Sequence, residues 1–312
     1  MAKFQPTPGM RLQIGASIYE FVPHPLLPRD MGEVYVIEGG EAIIYQIYDR
    51  AVDEYIALKL MKFAYRGESI ARATAQLQNY VQIPGLALCQ RVCLTRASHP
   101  QVIALYPELE YAILMPWISG RSWAGFMQDR VASERYQPAN AITLAMATAQ
   151  VMWELEAHHV VHTDIAGSNI VFSPDYRRVE LLDLENIFIP QLPARQRQSQ
   201  GTPGYQHRHL PSEGQRHRAG DRFAGAILLA EMLAWADPAI RAQTSPDAES
   251  LFQPQELQDV NAPRFQAVRH AIWNICTSVL PLFDQAWTSK DLMSCPEMGT
   301  WALTLIEASV RR

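Results

Sequence analysis

The stretch from His162 to Phe172 reads HTDIAGSNIVF and sets an aspartate, an asparagine five residues later and then a short apolar run in one segment. Asp, Gly, Ser and Asn are also turn-forming and capping residues, so a structural turn alone would account for this composition. A carboxylate and a carboxamide on one loop can do more, because the first can accept a substrate proton while the second holds a metal ion. Asp164 and Asn169 are therefore candidate catalytic and metal-binding residues.

Two further residues stand where such chemistry would need them. Asp183 follows Asn169 by fourteen residues, near the end of the apolar run VELLDL. A carboxylate at a strand end adds an oxygen ligand from a rigid scaffold. Lys59 ends the apolar run YIALK, where it is either a surface lysine or an inward cation that faces nucleotide phosphates. The set indicates a site for metal-bound phosphate.

The composition is that of an ordinary globular protein, with 312 residues of which 48% are hydrophobic and 19% charged. The formal net charge of -5 gives no global attraction to nucleic acid or to an anionic membrane, so neither is an expected partner. Four cysteines without C-x-x-C spacing are too few for a disulfide framework in a chain of this length. No signal peptide or membrane-length apolar run is recognisable, and we expect a cytoplasmic protein.

The secondary structure predicted from the sequence changes along the chain. Between residues 11 and 60, short runs of β-branched and aromatic residues split by Gly, Pro or Asp predict a small antiparallel sheet. Helices are predicted over 69–81, 141–160, 221–234, 264–282 and 299–309, further strands near 90–95, 111–116, 169–172 and 179–184, and a polar loop over 190–204. A β-rich region therefore precedes a mainly helical one.

Several segments now match, in order, the landmarks of one family. They are IEGGEAIIY (37–45), IALK (56–59), ILMPWISG (113–120), HTDIAGSN (162–169), DLE (183–185), GTPGY (201–205) and the helix that begins near Asp221. On these segments the chain resembles the protein kinase-like superfamily, and most closely the eukaryotic-like Ser/Thr protein kinases of bacterial type. The resemblance covers roughly residues 33 to 310, nearly the whole chain.

The resemblance implies an α+β, two-lobed protein kinase-like fold. A small antiparallel β-sheet lobe with one helix would be formed by residues 33–117, and a larger, mainly helical lobe by residues 118–312. Residues 1–32 would be an N-terminal extension, expected as a β-hairpin packed on the small lobe.

The resemblance also implies ATP and Mg²⁺ as cofactors and suggests a role for each matching residue. Asp164 would be the base or orienting group for a substrate hydroxyl, and Lys59 would grip the α- and β-phosphates. Asn169 and Asp183 would hold Mg²⁺. The residues expected around the nucleotide are Gly39 and Gly40 at the phosphates, Ile44, Ala57, Met115 and Val171 around adenine, and the backbone of Ile118 as a hydrogen-bond donor. The expected supports are His162 and Leu184 by packing and Asp221 by bonding the loop backbone.

Some positions of the nucleotide site depart from the family pattern. The helix glutamate that pairs with the lysine falls at Thr74, so either a shifted helix brings Glu68 to Lys59 or Lys59 has another partner. The glycine after the metal-binding aspartate is Glu185. Its carboxylate would pair with Lys59, add a metal ligand, or simply face solvent.

The loop around Asp164 also departs from the pattern. The usual arginine before the aspartate is Thr163, which removes the cation that reads a phosphorylated loop and makes control by loop phosphorylation less expected. The usual cation for the γ-phosphate is replaced by Ala166. These changes bear on activity more than on fold.

Two other departures agree with each other. A glutamate and an arginine that form a buried ion pair in the family are replaced by the segment His207–His209 and by Cys295. Loss of one partner alone would leave a buried charge at a cost of about 3–5 kcal/mol, whereas loss of both is tolerable. We therefore expect the large lobe to be braced in another way.

Basic residues are concentrated near the same segment. They are Arg195, Arg197, Arg208, Arg216 and Arg218, with His207, His209 and His217. A solvated basic loop accounts for them, and so does selection of an acidic substrate or an acidic partner surface.

Three functions fit these residues. The first is an ATP- and Mg²⁺-dependent phosphotransferase acting on protein Ser/Thr hydroxyls, because GTPGY resembles a peptide-docking segment. The second is a pseudokinase that binds nucleotide or acts as a scaffold, and the third is a small-molecule kinase. The expected partner is a protein substrate or a regulatory protein.

Overall fold

The computed structural model describes residues 4–28, 31–189, 201–210 and 214–310. The strands are β1 (Arg11–Ile14), β2 (Ser17–Phe21), β3 (Val36–Glu38), β4 (Ala42–Asp49), β5 (Glu54–Met61), β6 (Val92–Cys93), β7 (Ile113–Pro116), β8 (Arg121–Ser122), β9 (Ile170–Phe172) and β10 (Val179–Leu181). The helices are α1 (Glu68–Leu77), α2 (Pro100–Leu105), α3 (Trp123–Gln128), α4 (Arg130–Glu134), α5 (Pro138–Ala157), α6 (Arg222–Ala234), α7 (Pro238–Ala242), α8 (Pro263–Cys276), α9 (Leu280–Trp287) and α10 (Met298–Val310). The protein is thus of mixed α+β type.

The chain divides into two compact units. The first holds the residues up to Gln82 together with Leu86–Ile118, and the second holds Ile83–Gly85 and the residues from Ser119 onward. The first unit contains a curled antiparallel sheet in the order β1-β2-β4-β5-β7-β6, with β3 paired to β4. The hairpin of β1 and β2 extends this sheet because β2 pairs with β4.

Strand alternation gives the sheet of the first unit two different faces. Side chains of opposed residues in a ladder share a face, and successive residues alternate. Tyr45, Leu58 and Leu114 oppose one another across β4, β5 and β7. The two leucines belong to the apolar core that includes Phe4 and Phe21, and the partly buried Tyr45 packs against it. Burial of each such aliphatic side chain contributes about 1.5–3 kcal/mol. The opposite face of the sheet carries the residues that immediately precede and follow Tyr45, Leu58 and Leu114 in the sequence.

The second unit is built around α6. Every residue of this helix is buried, and apart from Arg222 and Glu231 its sequence, RFAGAILLAEMLA, is apolar on all sides. The helices α5, α8 and α9 pack against it, and a short sheet in the order β10-β9-β8 lies in the same unit. Among the helices that the structure describes, none combines the length and apolarity needed to cross a membrane.

One predicted helix, over 264–282, is wrong in its continuity. The structure has α8 ending at Cys276, a 3₁₀ turn over Thr277–Val279, and α9 starting at Leu280. Pro281 lies in the first turn of α9, where its missing N–H costs nothing, whereas inside a continuous helix it would remove a hydrogen bond.

The segments expected to have lost an ion pair are joined by neutral hydrogen bonds instead. His207 is buried, and its Nε2 lies 3.1 Å from Ser289 Oγ. Cys295 Sγ donates to the same hydroxyl oxygen at 3.2 Å. A serine therefore links the two segments without any buried charge.

A different ion pair braces the second unit. Arg222, at the start of α6, has a side chain only 9% exposed and donates from Nε to Glu156 Oε1 of α5 at 2.6 Å. Its Nη2 also donates to Glu297 Oε1 at 3.1 Å. The second oxygen of Glu156 accepts the backbone N–H of Met298, the first residue of α10, at 2.9 Å. One guanidinium and one carboxylate thus connect three helices.

Substitution of Arg222 by Met is expected to lower the free energy of unfolding by about 3 kcal/mol, because it leaves the carboxylate of Glu156 half-buried without its cation. Chemical denaturation measures this. The matched control is Arg269→Met, which breaks the more exposed pair with Asp284 and should cost about 1 kcal/mol or less. Equal losses in the two variants would contradict the bracing role of Arg222.

Candidate active site

The loop formed by residues 162–169 is fixed by Asp221. The Oδ2 of Asp221 accepts the backbone N–H of His162 at 2.6 Å, and its Oδ1 accepts that of Thr163 at 2.9 Å. Asp221 occupies the N-cap position of α6, yet its side chain makes no capping hydrogen bond to its own helix. The predicted role of Asp221 in bonding the loop backbone is confirmed. Burial raises the pKa of this carboxyl above its usual value.

Thr163 adopts a conformation that non-glycine residues rarely adopt. Its φ is 68°, in the left-handed region, where a β-branched residue is strained by about 1–3 kcal/mol. Its hydroxyl donates to the carbonyl of Asn186 at 2.9 Å, and its N–H is held by Asp221. The loop therefore takes its shape from contacts within the unit, at the position where the family pattern has an arginine.

His162 and Leu184 are both fully buried. His162 also bonds through Nε2 to the carbonyl of Leu182 at 2.7 Å. The expected supports thus lie in the core under the loop.

Asp164 is the centre of the polar contacts in this loop. Its backbone carbonyl accepts Asn169 Nδ2 at 2.9 Å, and its Oδ2 lies 3.3 Å from the same nitrogen. Its Oδ1 accepts the hydroxyl of Thr202 at 2.8 Å. The carboxylate of Asp164 therefore already accepts a hydrogen bond from a hydroxyl group of the segment 201–205.

Asn169 and Asp183 are held close to each other by backbone contacts. The N–H of Leu182 donates to the carbonyl of Asn169 at 2.8 Å, and Asp183 is the next residue. Asp183 has φ of 56°, so the chain turns sharply after β10. Because Asn169 uses its amide nitrogen on Asp164, its carboxamide oxygen is the atom that would ligate a cation. One carboxylate and one carboxamide oxygen are hard donors that suit Mg²⁺.

No cluster of three or more His, Cys, Asp or Glu side chains with metal-binding geometry occurs in the described part of the chain. A site built from Asn169 and Asp183 would therefore bind Mg²⁺ together with ligand oxygens, as Mg²⁺ commonly does.

The other side of the loop rests on a buried carboxylate, Glu231. A Cβ added at Gly167 would lie 3.0 Å from both the Trp123 ring and the Tyr205 hydroxyl, so the loop packs tightly on these two side chains. Glu231 Oε2 accepts the Tyr205 hydroxyl at 2.6 Å and Trp123 Nε1 at 3.3 Å. Its Oε1 accepts the N–H of Leu251 at 2.5 Å. Glu231 thus holds Tyr205, and with it the segment 201–205, against the loop.

The residues predicted to bind nucleotide in the first unit share one face of the sheet. Lys59 opposes Ile44 in β4 and Ile113 in β7, while Ala57 opposes Met115. Lys59 and Ala57 are two apart on β5, so their side chains point the same way, opposite to Tyr45, Leu58 and Leu114. Lys59 is only 6% exposed, which excludes the surface-lysine alternative.

Gly39 and Gly40 lie in the connection between β3 and β4, where Gly39 N–H donates to the Ala42 carbonyl at 2.9 Å. Neither glycine has a positive φ. A Cβ at Gly39 would meet only the Ala42 carbonyl, at 3.7 Å, and one at Gly40 would meet nothing within 4 Å. The fold itself does not require glycine at these two positions.

Two of the alternatives left open by the sequence can now be decided. Glu68 has a side chain 79% exposed and pairs with Arg72 one turn along α1, whereas Thr74 is buried. The alternative in which Glu68 reaches Lys59 is therefore wrong, because Glu68 begins α1 on its solvent side. The solvent-facing alternative for Glu185 is also wrong, since this residue is only 7% exposed.

The remaining predicted residues are distributed over both units. Val171 is in the middle of β9 and is 7% exposed, and Ile118 follows β7 as the last residue of the first unit. Arg195 and Arg197 lie outside the described residues.

Two residues of the site were not predicted from the sequence. Thr202 belongs to GTPGY, which gave no sign that its hydroxyl meets Asp164. Glu231 is the one acidic residue within the apolar run from Ala224 to Ala236, and a lone carboxylate in such a run is a usable signal of a buried polar contact.

Neither a scan against models of known protein families nor a search of curated proteins finds a match for this chain.

The ionisation of Glu231 is expected to make stability depend on pH. Burial raises the pKa of Glu231 to about 7, so between pH 4.5 and 7 the folded state binds a proton that the unfolded state releases. Stability therefore falls as pH rises through this window, by on the order of 3 kcal/mol relative to a Glu231→Gln variant. Denaturation at a series of pH values measures the difference. Glu134→Gln, at an exposed site on α4, is the control and should follow the wild type; a Glu231→Gln curve parallel to the wild type would contradict the assignment.

Proposed function

We propose that this protein is an ATP- and Mg²⁺-dependent phosphotransferase that acts on Ser or Thr hydroxyls of a protein, and that it has a two-lobed protein kinase-like fold. The observation that carries the proposal is the hydrogen bond from the Thr202 hydroxyl to Asp164 Oδ1 at 2.8 Å. A carboxylate that receives a threonine hydroxyl from a neighbouring segment is placed to receive the hydroxyl of an acceptor in the same way.

The proposed reaction uses Asp164 as the proton acceptor. The substrate hydroxyl gives its proton to the Asp164 carboxylate as its oxygen forms a bond to the γ-phosphorus of ATP. The bond from that phosphorus to the β,γ-bridging oxygen breaks, and ADP leaves with the electron pair. Bound Mg²⁺ would neutralise charge on the phosphate oxygens. Asn169 and Asp183 would hold it through their side-chain oxygens.

The residues of the first unit support nucleotide binding. Lys59 is a buried cation on the same face as Ile44, Ala57 and Met115, so one face offers a charge for phosphate and apolar contacts for a base. Gly39 and Gly40 are not needed by the fold, which favours a role in close approach to a ligand. We propose that the backbone of Ile118, in the same unit, adds a hydrogen bond to adenine.

A pseudokinase is the second candidate, and specific observations favour it. Glu68 is exposed and bound to Arg72, and the helix position expected for a glutamate holds buried Thr74. Ala166, where a γ-phosphate cation is expected, is buried and apolar. A small-molecule kinase is the third candidate, which would transfer phosphate without a protein acceptor and tolerate changes in residues 201–205.

We also propose that the protein works in the cytoplasm. All four cysteines are free and buried, as expected in a reducing compartment.

Addition of ATP with Mg²⁺ is expected to raise the melting temperature, and Asp183→Asn should abolish the Mg²⁺-dependent part. Ligand at 100 times its dissociation constant stabilises by about 2.7 kcal/mol, and each kcal/mol is worth roughly 2–4 °C in a chain of this size class. Asn is a suitable substitute because it tolerates the left-handed φ of Asp183. Thermal shift with ATP, Mg²⁺ and both together gives the measurement, with exposed Asp247→Asn as control. No shift with any nucleotide would leave the scaffold form of the pseudokinase as the better reading.

Phosphoryl transfer is expected to fall by about 10²–10⁴-fold in Asp164→Asn, because the amide cannot accept the hydroxyl proton although it can still accept the Thr202 hydrogen bond. Transfer from radiolabelled ATP to the chain itself and to a mixture of proteins measures this. Asp247→Asn should transfer at the wild-type rate. Binding of ATP without transfer in the wild type would favour the pseudokinase, and transfer unaffected by Asp164→Asn would sink the proposed mechanism.

A further inference from the structure

A basic pocket of about 240 Å³ lies in the second unit. Two of its lining residues, Arg208 and His209, come shortly after the segment 201–205. Its lining residues are Arg208, His209, Gln258, Trp287, Thr288, Ser289 and Lys290. Among the described side chains, no carboxylate lines it. Two permanent cations and an imidazole therefore face one small volume in a chain whose formal net charge is -5.

The walls of this pocket are held in place by contacts that leave its cationic groups on the surface. The N–H of Arg208 donates to Gln258 Oε1 at 2.9 Å, and one guanidinium nitrogen, Nη2, donates to the Gln255 carbonyl at 3.0 Å. Gln258 Nε2 donates to the Ser289 carbonyl at 2.7 Å, which joins the two walls. A guanidinium anchored through one nitrogen keeps its other N–H donors in a fixed direction.

The opposite wall of the pocket likewise carries an exposed basic residue on a backbone that is fixed by hydrogen bonds. The N–H of Lys290 donates to Ser294 Oγ at 3.1 Å, which fixes the backbone, and Lys290 is an exposed residue. The nearest carboxylate in sequence, Asp291, is turned toward Ser294, whose N–H it accepts at 2.8 Å. Trp287 is buried beneath, stacked on Phe265 with ring centroids 4.6 Å apart. The base of the pocket is thus rigid.

The pocket is tied to the candidate active site through Tyr205. Thr202 bonds Asp164, Tyr205 is held by Glu231, and Arg208 follows three residues later in the same unit. Six residues span at most about 20 Å, and an extended peptide rises about 3.3 Å per residue. Arg208 therefore lies within about 20 Å of Thr202, a distance that about six residues of extended peptide can span.

We propose that this pocket binds a carboxylate side chain, Glu or Asp, of the protein substrate, and that the enzyme accordingly selects acceptor sites with an acidic residue within about six positions of the Ser or Thr. This inference rests on the proposed function only in taking the occupant to be the acceptor protein. Arg208 and Lys290 supply the charge, and Arg208 supplies paired N–H donors that match a carboxylate. An anion bound here would be held by charge-assisted hydrogen bonds rather than by an apolar surface.

The test compares two fluorescent serine peptides that differ only in having Glu or Gln at positions four to six from the serine. Anisotropy without ATP gives their dissociation constants for the wild type, for Arg208→Gln/Lys290→Gln, and for Arg177→Gln, an exposed arginine elsewhere in the unit. We expect the Glu peptide to bind at least tenfold more tightly than the Gln peptide to the wild type and to Arg177→Gln. The preference should fall below about twofold in the double variant.

An undiminished preference in the double variant, or no preference in the wild type, would overturn the proposal. A phosphoserine in place of Glu that binds more than tenfold more tightly would also overturn it, by assigning the pocket to phosphate. Lys290→Gln alone leaves the bond of Arg208 to Gln255 intact and replaces the double variant if that variant does not fold. The binding assay needs no phosphoryl transfer, so the two proposals can fail separately. Preference for the Glu peptide without phosphorylation would refute the proposed activity and still support the pocket. Phosphorylation without preference for the Glu peptide would support the activity and refute the proposed role of the pocket.

Discussion

Two carboxylates on one buried helix determine the arrangement of the candidate active site. Asp221, at the N-cap of α6, holds the backbone of His162 and Thr163, and Glu231 holds Tyr205 and Trp123. Ten residues of α-helix separate the two acids by about 15 Å, a distance that the helix keeps constant. The loop 162–169 is therefore fixed on one side and supported on the other by a single rigid element.

Burial of these acids is costly, and the cost explains the number of donors around them. A carboxylate without partners in a protein interior is strongly disfavoured, so each acid is stable only where several N–H or O–H groups converge on it. Glu231 receives three such groups and Asp221 two. The same need makes both residues intolerant of replacement by apolar side chains, because every one of those donors would in turn be left buried without an acceptor.

Local sequence patterns were enough to predict much of this structure, but they could not predict contacts between residues that are far apart in the chain. Period-two alternation in β4, β5 and β7 is a local property, and it placed Lys59 on a face with Ile44 and Ala57 as soon as the strands paired. The spacing within HTDIAGSN likewise brought Asp164 and Asn169 into contact because one short loop carries both.

The contacts that escaped prediction join residues far apart in the chain. Thr202 meets Asp164 across 38 residues and Glu231 meets Trp123 across 108, and no periodicity reports such pairs. The position of Glu68 was missed for a local reason, since a helix that begins at this residue presents it to solvent, next to Arg72. The break at Pro281 had a local signal in the proline itself.

The residues that bond to α6 also determine the order in which parts of the second unit can form during translation. Arg222 joins Glu156, before it in the chain, to Glu297, after it, and the N–H of Met298 completes the contact. On the ribosome the loop 162–169 is complete about fifty residues before Asp221 emerges to fix it. The first unit can acquire its sheet early, whereas the ion pair that braces the second unit waits for Glu297 and Met298 to be translated. A prematurely terminated chain would therefore carry the motif residues of the site but lack its geometry.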